Sequence, residues 1–290
     1  MTEEICSVCL SIMSAKFHNW HYSCPTCKYE RAVFVPTINL PKAHQAIDEK
    51  ARELALRNVR KHNFHFLLMR LLELKSQGSL LDVGCAHGWF LELARVHFKV
   101  LGLEPDRAIY DAHATNTFSM RLGYFPQALG INEKFDVIIF NDVLEHIPNI
   151  TEALSSCHRH LNEHGVLVVN LPDSGGIFYR IAKLLSRIGA VDFFKRMWQV
   201  GLPSPHVHYF NRTNLTTLLA KHGFDVRQTG HLDAVHLPGL FTRISYAQDD
   251  RSYFSRLIIY VAVVLSLPFL QVLPRDIFYV MATRTEKVSS

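Results

Sequence analysis

The run Leu80-Leu81-Asp82-Val83-Gly84-Cys85-Ala86-His87-Gly88 does most to limit how this chain can fold. An apolar stretch stops at glycine and gives way to Trp89-Phe90-Leu91-Glu92-Leu93-Ala94. That order predicts a buried strand that turns sharply into a helix over residues 88–97. The glycines let the backbone turn tightly and approach a ligand closely, and the helix N-terminus offers unpaired N–H groups. The alternation recurs downstream. Lys99 to Glu104 predicts a second strand, with Pro105 opening the next helix, where its missing N–H does no harm. Phe135 to Phe140 predicts a strand, 150–162 a helix and Gly165 to Asn170 another strand. These runs are continuously apolar and β-branched, which suits parallel strands covered on both faces.

The fold class that follows is α/β, a Rossmann-like, doubly wound, mostly parallel sheet. Composition agrees: 48% hydrophobic and 20% charged residues exclude a disordered or collagen-like chain or a coiled coil. A length of 290 residues suits one large domain with an appendage. The net charge of +5 is mild and selects neither nucleic acid nor an anionic membrane as partner. Three segments are expected: a cysteine-paired segment over 1–40, a helical linker over 41–77 and the main domain over 78–290. In the linker, Ala43, Ala46, Ala51, Leu54 and Leu56, then Phe64, Leu67, Leu68, Leu71 and Leu72, fall at helical spacings.

The first segment carries Cys6-x-x-Cys9 and Cys24-x-x-Cys27, with 14 residues between the pairs. Each pair places two thiolates on one tight knuckle, and two knuckles complete the tetrahedron of a zinc ribbon. Structural zinc would staple a segment too short to build its own core. Trp20, His21, Tyr22, Lys28, Tyr29 and Arg31 mix aromatic and basic groups there, which leaves an RNA-gripping role as a second reading. Met1 to Cys9 is acidic and lacks a long apolar core. No secretory signal is therefore expected, and the compartment reads as reducing and cytoplasmic.

The chemistry concentrates at the glycine loop. Glu104 closes the second strand, where a carboxylate can accept both hydroxyls of a ribose. Asp82 stands just before Gly84, where it would repel a pyrophosphate but suit a sulfonium and an α-amino group. The electrostatics favour S-adenosylmethionine (SAM) over a dinucleotide.

Four stretches, LLDVGCAHGWFLELA (80–94), GLEPD (102–106), FDVIIFNDVLEHIP (135–148) and LNEHGVLVVNLP (161–172), resemble in order and spacing the motifs of class I SAM-dependent methyltransferases. His208-Tyr209-Phe210 and LTTLLAKHGFDV (215–226) resemble a later part of the group acting on ubiquinone-type, sugar or secondary-metabolite acceptors. The resemblance implies that Asp82, Gly84, Cys85 and Gly88 frame the methionine part of SAM, that Glu104 holds the ribose and that Asn141 faces the methyl end. The middle loop position, commonly glycine, is Ala86, and a negative φ is expected to serve there. No acidic residue stands near Gly123-Tyr124-Phe125, where the resemblance would place the reader of the adenine amino group.

Methyl transfer often needs a base, and His146, His206 and His208 are the candidates, His208 and His146 foremost. Glu145 offers itself as a metal ligand, without a clear second one. Two insertions are expected. Residues 176–200 place Ile177, Phe178, Ile181, Leu184, Leu185 and Ile188 on one side and Arg180, Lys183 and Arg187 on the other, as in a membrane-surface helix or a substrate lid. Residues 257–273 run without a charge, interrupted by Pro268 and flanked by Arg251, Arg256 and Arg275. They are short for a membrane span, and Asp276 to Ala282 must return to the sheet, so peripheral contact with the cytoplasmic membrane face or a substrate channel is expected. The function read from the sequence is SAM-dependent methylation, on oxygen by family habit, of a small-molecule or lipid-linked acceptor. Nucleic acid is the less favoured acceptor. The alternatives are a zinc-ribbon RNA methyltransferase and a non-catalytic SAM-binding scaffold.

Overall fold

The computed structural model describes residues 4–40, 49–113, 118–247 and 252–285. Ala43 and Ala46 of the expected linker, Arg251 before the second insertion and the start of the acidic N-terminus lie outside the described residues. Three short strands come first: β1 (Ser14–Ala15), β2 (His21–Ser23) and β3 (Glu30–Ala32). Then follow α1 (Glu49–Leu74), β4 (Gly78–Val83), α2 (Trp89–Ala94), β5 (Phe98–Glu104), α3 (Arg107–Ala112) and β6 (Ser119–Leu122). The middle of the chain holds β7 (Phe135–Asn141), α4 (Ile150–His160), β8 (Leu161–Pro172), α5 (Ile177–Arg187), α6 (Asp192–Met197) and β9 (His208–Tyr209). The last elements are α7 (Arg212–Lys221), β10 (Phe224–Leu232), α8 (Leu240–Ala247), α9 (Tyr253–Val272) and β11 (Ile277–Arg284).

Seven strands form the main sheet in the order β10-β11-β8-β7-β4-β5-β6. β4 runs parallel to β5 and β7, β5 to β6, and β7 to β8, while β11 inserts antiparallel between β8 and β10. The mostly parallel, doubly wound sheet expected from the sequence is present. Strand order reverses between β4 and β7, and such a switch point leaves a crevice at the carboxyl ends of the strands. Both sheet faces are buried, which explains the unbroken apolar runs. On β7, Ile138 and Phe140 pack with Leu154 of α4 and Leu215 of α7, while Val137 and Ile139 pack with Leu67 and Leu71 of α1. Pro105 does not open α3 as expected. It lies outside the helix, and Asp106 caps it by accepting from Ala108 N and Ile109 N.

The cysteine-paired segment does not stand apart. β9 adds to its edge, giving a four-stranded sheet β1-β2-β3-β9 with Glu30 opposite Tyr209 and Arg31 opposite His208. Beneath this junction lies Glu30, 2% exposed. Its Oε2 accepts from His21 Nε2 and Tyr179 Oη, each at 2.7 Å, and its Oε1 accepts from Lys183 Nζ at 2.6 Å. Around it Trp20 and Phe34 pack on Trp198 and Phe194 of the first insertion. Trp20, His21 and Tyr29 are thereby turned inward against the main domain, not outward as a platform for stacking bases.

The same packing sets the orientation of α5. Its buried face carries Tyr179, Ala182 and Ser186, and Lys183 reaches Glu30. Ile181, Leu184 and Ile188 face solvent at 40%, 59% and 75% exposure. Helical periodicity finds an apolar stripe, but an aromatic tyrosine with a buried acceptor claimed the interior instead.

Burial alone would raise the Glu30 carboxyl, but the His21 hydrogen bond and the Lys183 charge outweigh it, so the group sits below its ordinary range. A carboxyl depressed on folding stabilises above its unfolded value, and that contribution is lost as pH falls through the folded one. Glu30→Leu should cost about 3–5 kcal/mol in denaturant unfolding, because it strands the buried donors of His21 and Tyr179 and removes the partner of Lys183. A loss under ~1 kcal/mol would remove Glu30 as the tie between the segments.

Candidate active site

A cleft of about 1990 Å³ opens at the switch point. Its inner end is lined by Gly84, Ala86, Glu104 and Asn141, with Tyr124 and Gln127 from the loop after β6. Gly84 has φ +68°, and a Cβ there would sit 2.8 Å from Val143 Cγ2. Gly88 has φ +71°, and its Cβ would meet the Phe118 ring at 2.2 Å. Both positions therefore require glycine, for space as well as for backbone.

Ala86 departs from expectation: its φ is +45°, not negative. The left-handed region crowds a Cβ against its own backbone and costs roughly 1–2 kcal/mol. What holds it there is its N–H, which donates to Glu104 Oε2 at 2.8 Å. Glu104 Oε1 accepts from Asp106 N, also at 2.8 Å. The carboxylate expected to hold a ribose thus also clamps the loop that faces it. Asn141 Nδ2 donates to Asp82 Oδ1 at 3.3 Å, and Asn141 Oδ1 is buried without a partner. Asp82 is 2% exposed and lies behind Asn141, outside the lining of the cleft. Cys85 was expected to face the cofactor. Its Sγ instead lies beside Gly102, where a Cβ would stand 2.5 Å away, and it belongs to the core with Leu91 and Trp89.

Burial raises the Asp82 carboxyl to about 8 against the hydrogen bond from Asn141, with the Glu104 charge adding to the rise. Burial likewise raises Glu104 to about 7, against two backbone donors. Two desolvated acids at a glycine turn, with an orphan amide oxygen beside them, fit a ligand that brings a positive charge and vicinal hydroxyls.

The chain matches the family described as "Methyltransferase domain" over residues 53–229. This methyltransferase family is the one to which the chain belongs. It is 29% identical over 163 residues to a ubiquinone biosynthesis O-methyltransferase of Paramagnetospirillum magneticum, covering 52% of this chain and 60% of that one. The match thus spans well under two thirds of that relative. Among solved structures it is similar to a SAM-dependent methyltransferase from Archaeoglobus fulgidus, with TM-score 0.54, 16% identity and coverage of 82% and 100% of the two chains. It is also similar to a cyclopropane synthase from Mycobacterium tuberculosis, with TM-score 0.55, 15% identity and coverage of 87% and 90%.

The cleft continues from Asn141 to Glu145, His146 and His206. Glu145 is 1% exposed, and neither of its carboxylate oxygens has a partner. Its Oε1 stands 3.9 Å from His146 Nε2 and 4.0 Å from His206 Nε2. The sequence showed no second ligand beside Glu145, because His206 returns to it only through the tertiary fold. One carboxylate oxygen and two imidazole nitrogens within 4.8 Å of one another have the donor set for a divalent cation. His146 Nδ1 donates to the Pro205 carbonyl at 2.9 Å, which fixes the tautomer and leaves Nε2 its lone pair. Burial lowers the His146 value to about 4, so the ring is neutral near pH 7.

His208, the foremost candidate base, is elsewhere. It lies on β9 in the junction with the cysteine segment, 1% exposed. Tyr29 Oη donates to its Nδ1 and its Nε2 donates to the Ile147 carbonyl, so no lone pair is left for chemistry. The cysteines converge as expected. All four Sγ atoms lie within 4.8 Å of one another, with Cys6–Cys27 at 3.5 Å and Cys9–Cys24 at 3.4 Å. Four thiolates bound to one zinc stand about 3.8 Å apart, so the set has the size of a tetrahedral site. Sequence reasoning missed Gln127 and the cleft-lining Arg60 and Arg243, which lie on helices with no motif of their own.

Two predictions arise here. Ala86→Gly should stabilise the chain by about 0.5–1 kcal/mol, read by denaturant unfolding, since relief of the left-handed strain exceeds the added unfolded-state entropy. A destabilised variant would show that the loop is unstrained. The second concerns Asp82 and Glu104, whose values are raised on folding. Their neutral forms favour the folded chain, a contribution that fades as pH climbs from the ordinary carboxylate range to about 8. A cationic ligand reverses this by favouring the ionised forms. SAM affinity, measured calorimetrically, should rise roughly tenfold or more between about pH 6 and about pH 8, and Asp82→Asn with Glu104→Gln should flatten the profile.

Proposed function

We propose that the chain methylates an oxygen of a lipid-linked acceptor, working on the cytoplasmic face of a membrane. The observation that carries this reading is α9. It has 20 residues, none of them buried, and from Leu257 to Leu273 it bears no charge. Phe254, Ile258, Leu265 and Phe269 are 56–69% exposed, while Arg256 and Val263 line the mouth of the cleft. The length would allow a span, since a bilayer core is about 30 Å thick. The connections oppose it. Four residues separate α9 from β11, which lies inside the main sheet, and four extended residues reach only about 14 Å. The helix therefore suits the bilayer surface, with the solvent-facing Ile181, Leu184 and Ile188 of α5 as a second apolar contribution.

The printed name of the Paramagnetospirillum relative, an O-methyltransferase of ubiquinone biosynthesis, supports oxygen as the methylated atom. SAM supplies the methyl group of a sulfonium. Glu104 and the loop it clamps would hold the nucleoside and Asn141 the amino acid end, with Asp82 orienting Asn141 from behind. His146 is the base of this reading: it lines the cleft, stays neutral and offers Nε2 to an acceptor hydroxyl. The cysteine site is structural, and no step passes through it.

Incubation of cell extract with methyl-labelled SAM should place the label in the lipid pool. The chain should co-sediment with phosphatidylglycerol vesicles, and Ile258→Ser, Leu265→Ser and Phe269→Ser combined should abolish sedimentation. Label confined to RNA or water-soluble products, with no vesicle binding, would refute the lipid reading.

A further inference from the structure

We propose that the acceptor end of the cleft contains a phosphoryl-binding subsite, in which Arg60, Arg196, Arg243 and Arg256 converge from four different helices on a phosphate or diphosphate ester. The inference deepens the lipid-acceptor reading and rests on it. Arg60 comes from α1, Arg196 from α6, Arg243 from α8 and Arg256 from α9, and all four line the one cleft. Their placement is tertiary: α1 packs on α8, and α8 on α9.

The charge around them is unbalanced. Asp142 and Glu145 are carboxylates that face this group, with Arg60 Nη2 3.9 Å from Asp142 Oδ2, two acids against four guanidinium groups. Burial raises the Asp142 carboxyl in spite of the charges of Arg60 and Arg243, so even this counter-charge is weakened. Burial, and then the like charges of Arg60 and Arg196, lower the proton affinity of Arg243, with Asp142 opposing them. Arg243 Nη1 donates to the Ala234 carbonyl at 2.6 Å, which anchors the side chain at the cleft wall. Arg256 Nε is buried with no hydrogen-bond partner.

Guanidinium groups gathered against their own repulsion stabilise a multiply charged anion, and the planar fork matches phosphate oxygens two at a time. A single carboxylate would neutralise only one of the four. Val235, Leu240, Ile244 and Val263 line the same end of the cleft, and beyond them runs the apolar surface of α9. A ligand with an anionic head and a hydrocarbon tail matches that sequence of surfaces. The inner end of the cleft, by contrast, is acidic at Glu104 and Asp106, so the two ends sort a cationic cofactor from an anionic acceptor.

The test uses the full zinc-loaded chain saturated with S-adenosylhomocysteine and reads binding by calorimetry, without turnover. The probes are geranyl diphosphate, geraniol and inorganic pyrophosphate. Geranyl diphosphate should bind about tenfold or more tightly than either geraniol or pyrophosphate, since charged hydrogen bonds and the tail both contribute. Arg243→Met and Arg196→Ala should each bring its affinity down by roughly tenfold, toward that of geraniol, with S-adenosylhomocysteine binding unchanged. Arg196 is exposed, so its variant carries the test if Arg243→Met fails to fold. Equal affinity for diphosphate and alcohol, or unaltered affinity in the arginine variants, would overturn the subsite. A third arm separates the sources of phosphate. If phosphatidylglycerol vesicles depend on these arginines but geranyl diphosphate does not bind, the cations serve bilayer headgroups and the subsite is refuted. Absence of S-adenosylhomocysteine binding would instead sink the methyltransferase reading, leaving the probe comparison to decide the subsite by itself.

Discussion

Two acids held out of water at the head of a parallel sheet govern the rest of the molecule. Asp82 and Glu104 end adjacent strands, where apolar neighbours on both sheet faces remove solvent. Carboxyl groups in such surroundings resist ionisation. They are accommodated by donors at short range: Asn141 for Asp82, and the backbone of Ala86 and Asp106 for Glu104. That arrangement dictates the left-handed Ala86, the side-chain-free Gly84 and Gly88, and the placement of Asn141 at the tip of β7. A ligand with a positive charge and two hydroxyls releases the tension by favouring the ionised carboxylates, which is why the loop suits SAM better than a pyrophosphate.

A second buried acid does for architecture what these two do for binding. Glu30 collects three donors from two segments more than a hundred residues apart, and β9 pairs with β3 directly above it. The cysteine segment is therefore part of the wall of the catalytic unit. It supports α5 and α6, and α6 and the turn after it supply Arg196 and Gln199 to the cleft. His208 belongs to this joint, with both ring nitrogens spent, whereas His146 and His206 line the cleft. Two histidines of one short stretch, His206 just before β9 and His208 within it, thus have different surroundings, the cleft for one and the joint for the other.

The cleft is electrically polar from end to end. Acids crowd the cofactor end and arginines the outer end, with Glu145, His146 and His206 between them. In the proposed reading, the reacting hydroxyl meets the donor methyl at this middle point. In the same reading, α9, uncharged beyond Arg256, lies where an acceptor would leave the bilayer, so the apolar surface, the cationic patch and the base follow one another along a single path.

The sequence by itself determined the strand–turn–helix unit that ends at Ala94, three residues short of the expected 97, the parallel sheet, the family and the four-cysteine set. Each is local: a continuous apolar run, a glycine forced by φ or by contact, or a fixed spacing of ligands. Whether a histidine faces a cleft or a joint was not legible, because residue type gives no direction when the partner is Tyr29 or Glu145, far away in sequence. The orientation of α5 was open for a related reason. Periodicity reports which residues share a face, and only the packing of Tyr179 onto Glu30 decided which face turned inward. Ala86 shows the limit at the smallest scale, since its backbone is set by the carboxylate of Glu104 and not by its own preference. Only the tertiary structure brought Arg60, Arg196, Arg243 and Arg256 together, because they lie on four helices whose mutual packing no local pattern encodes.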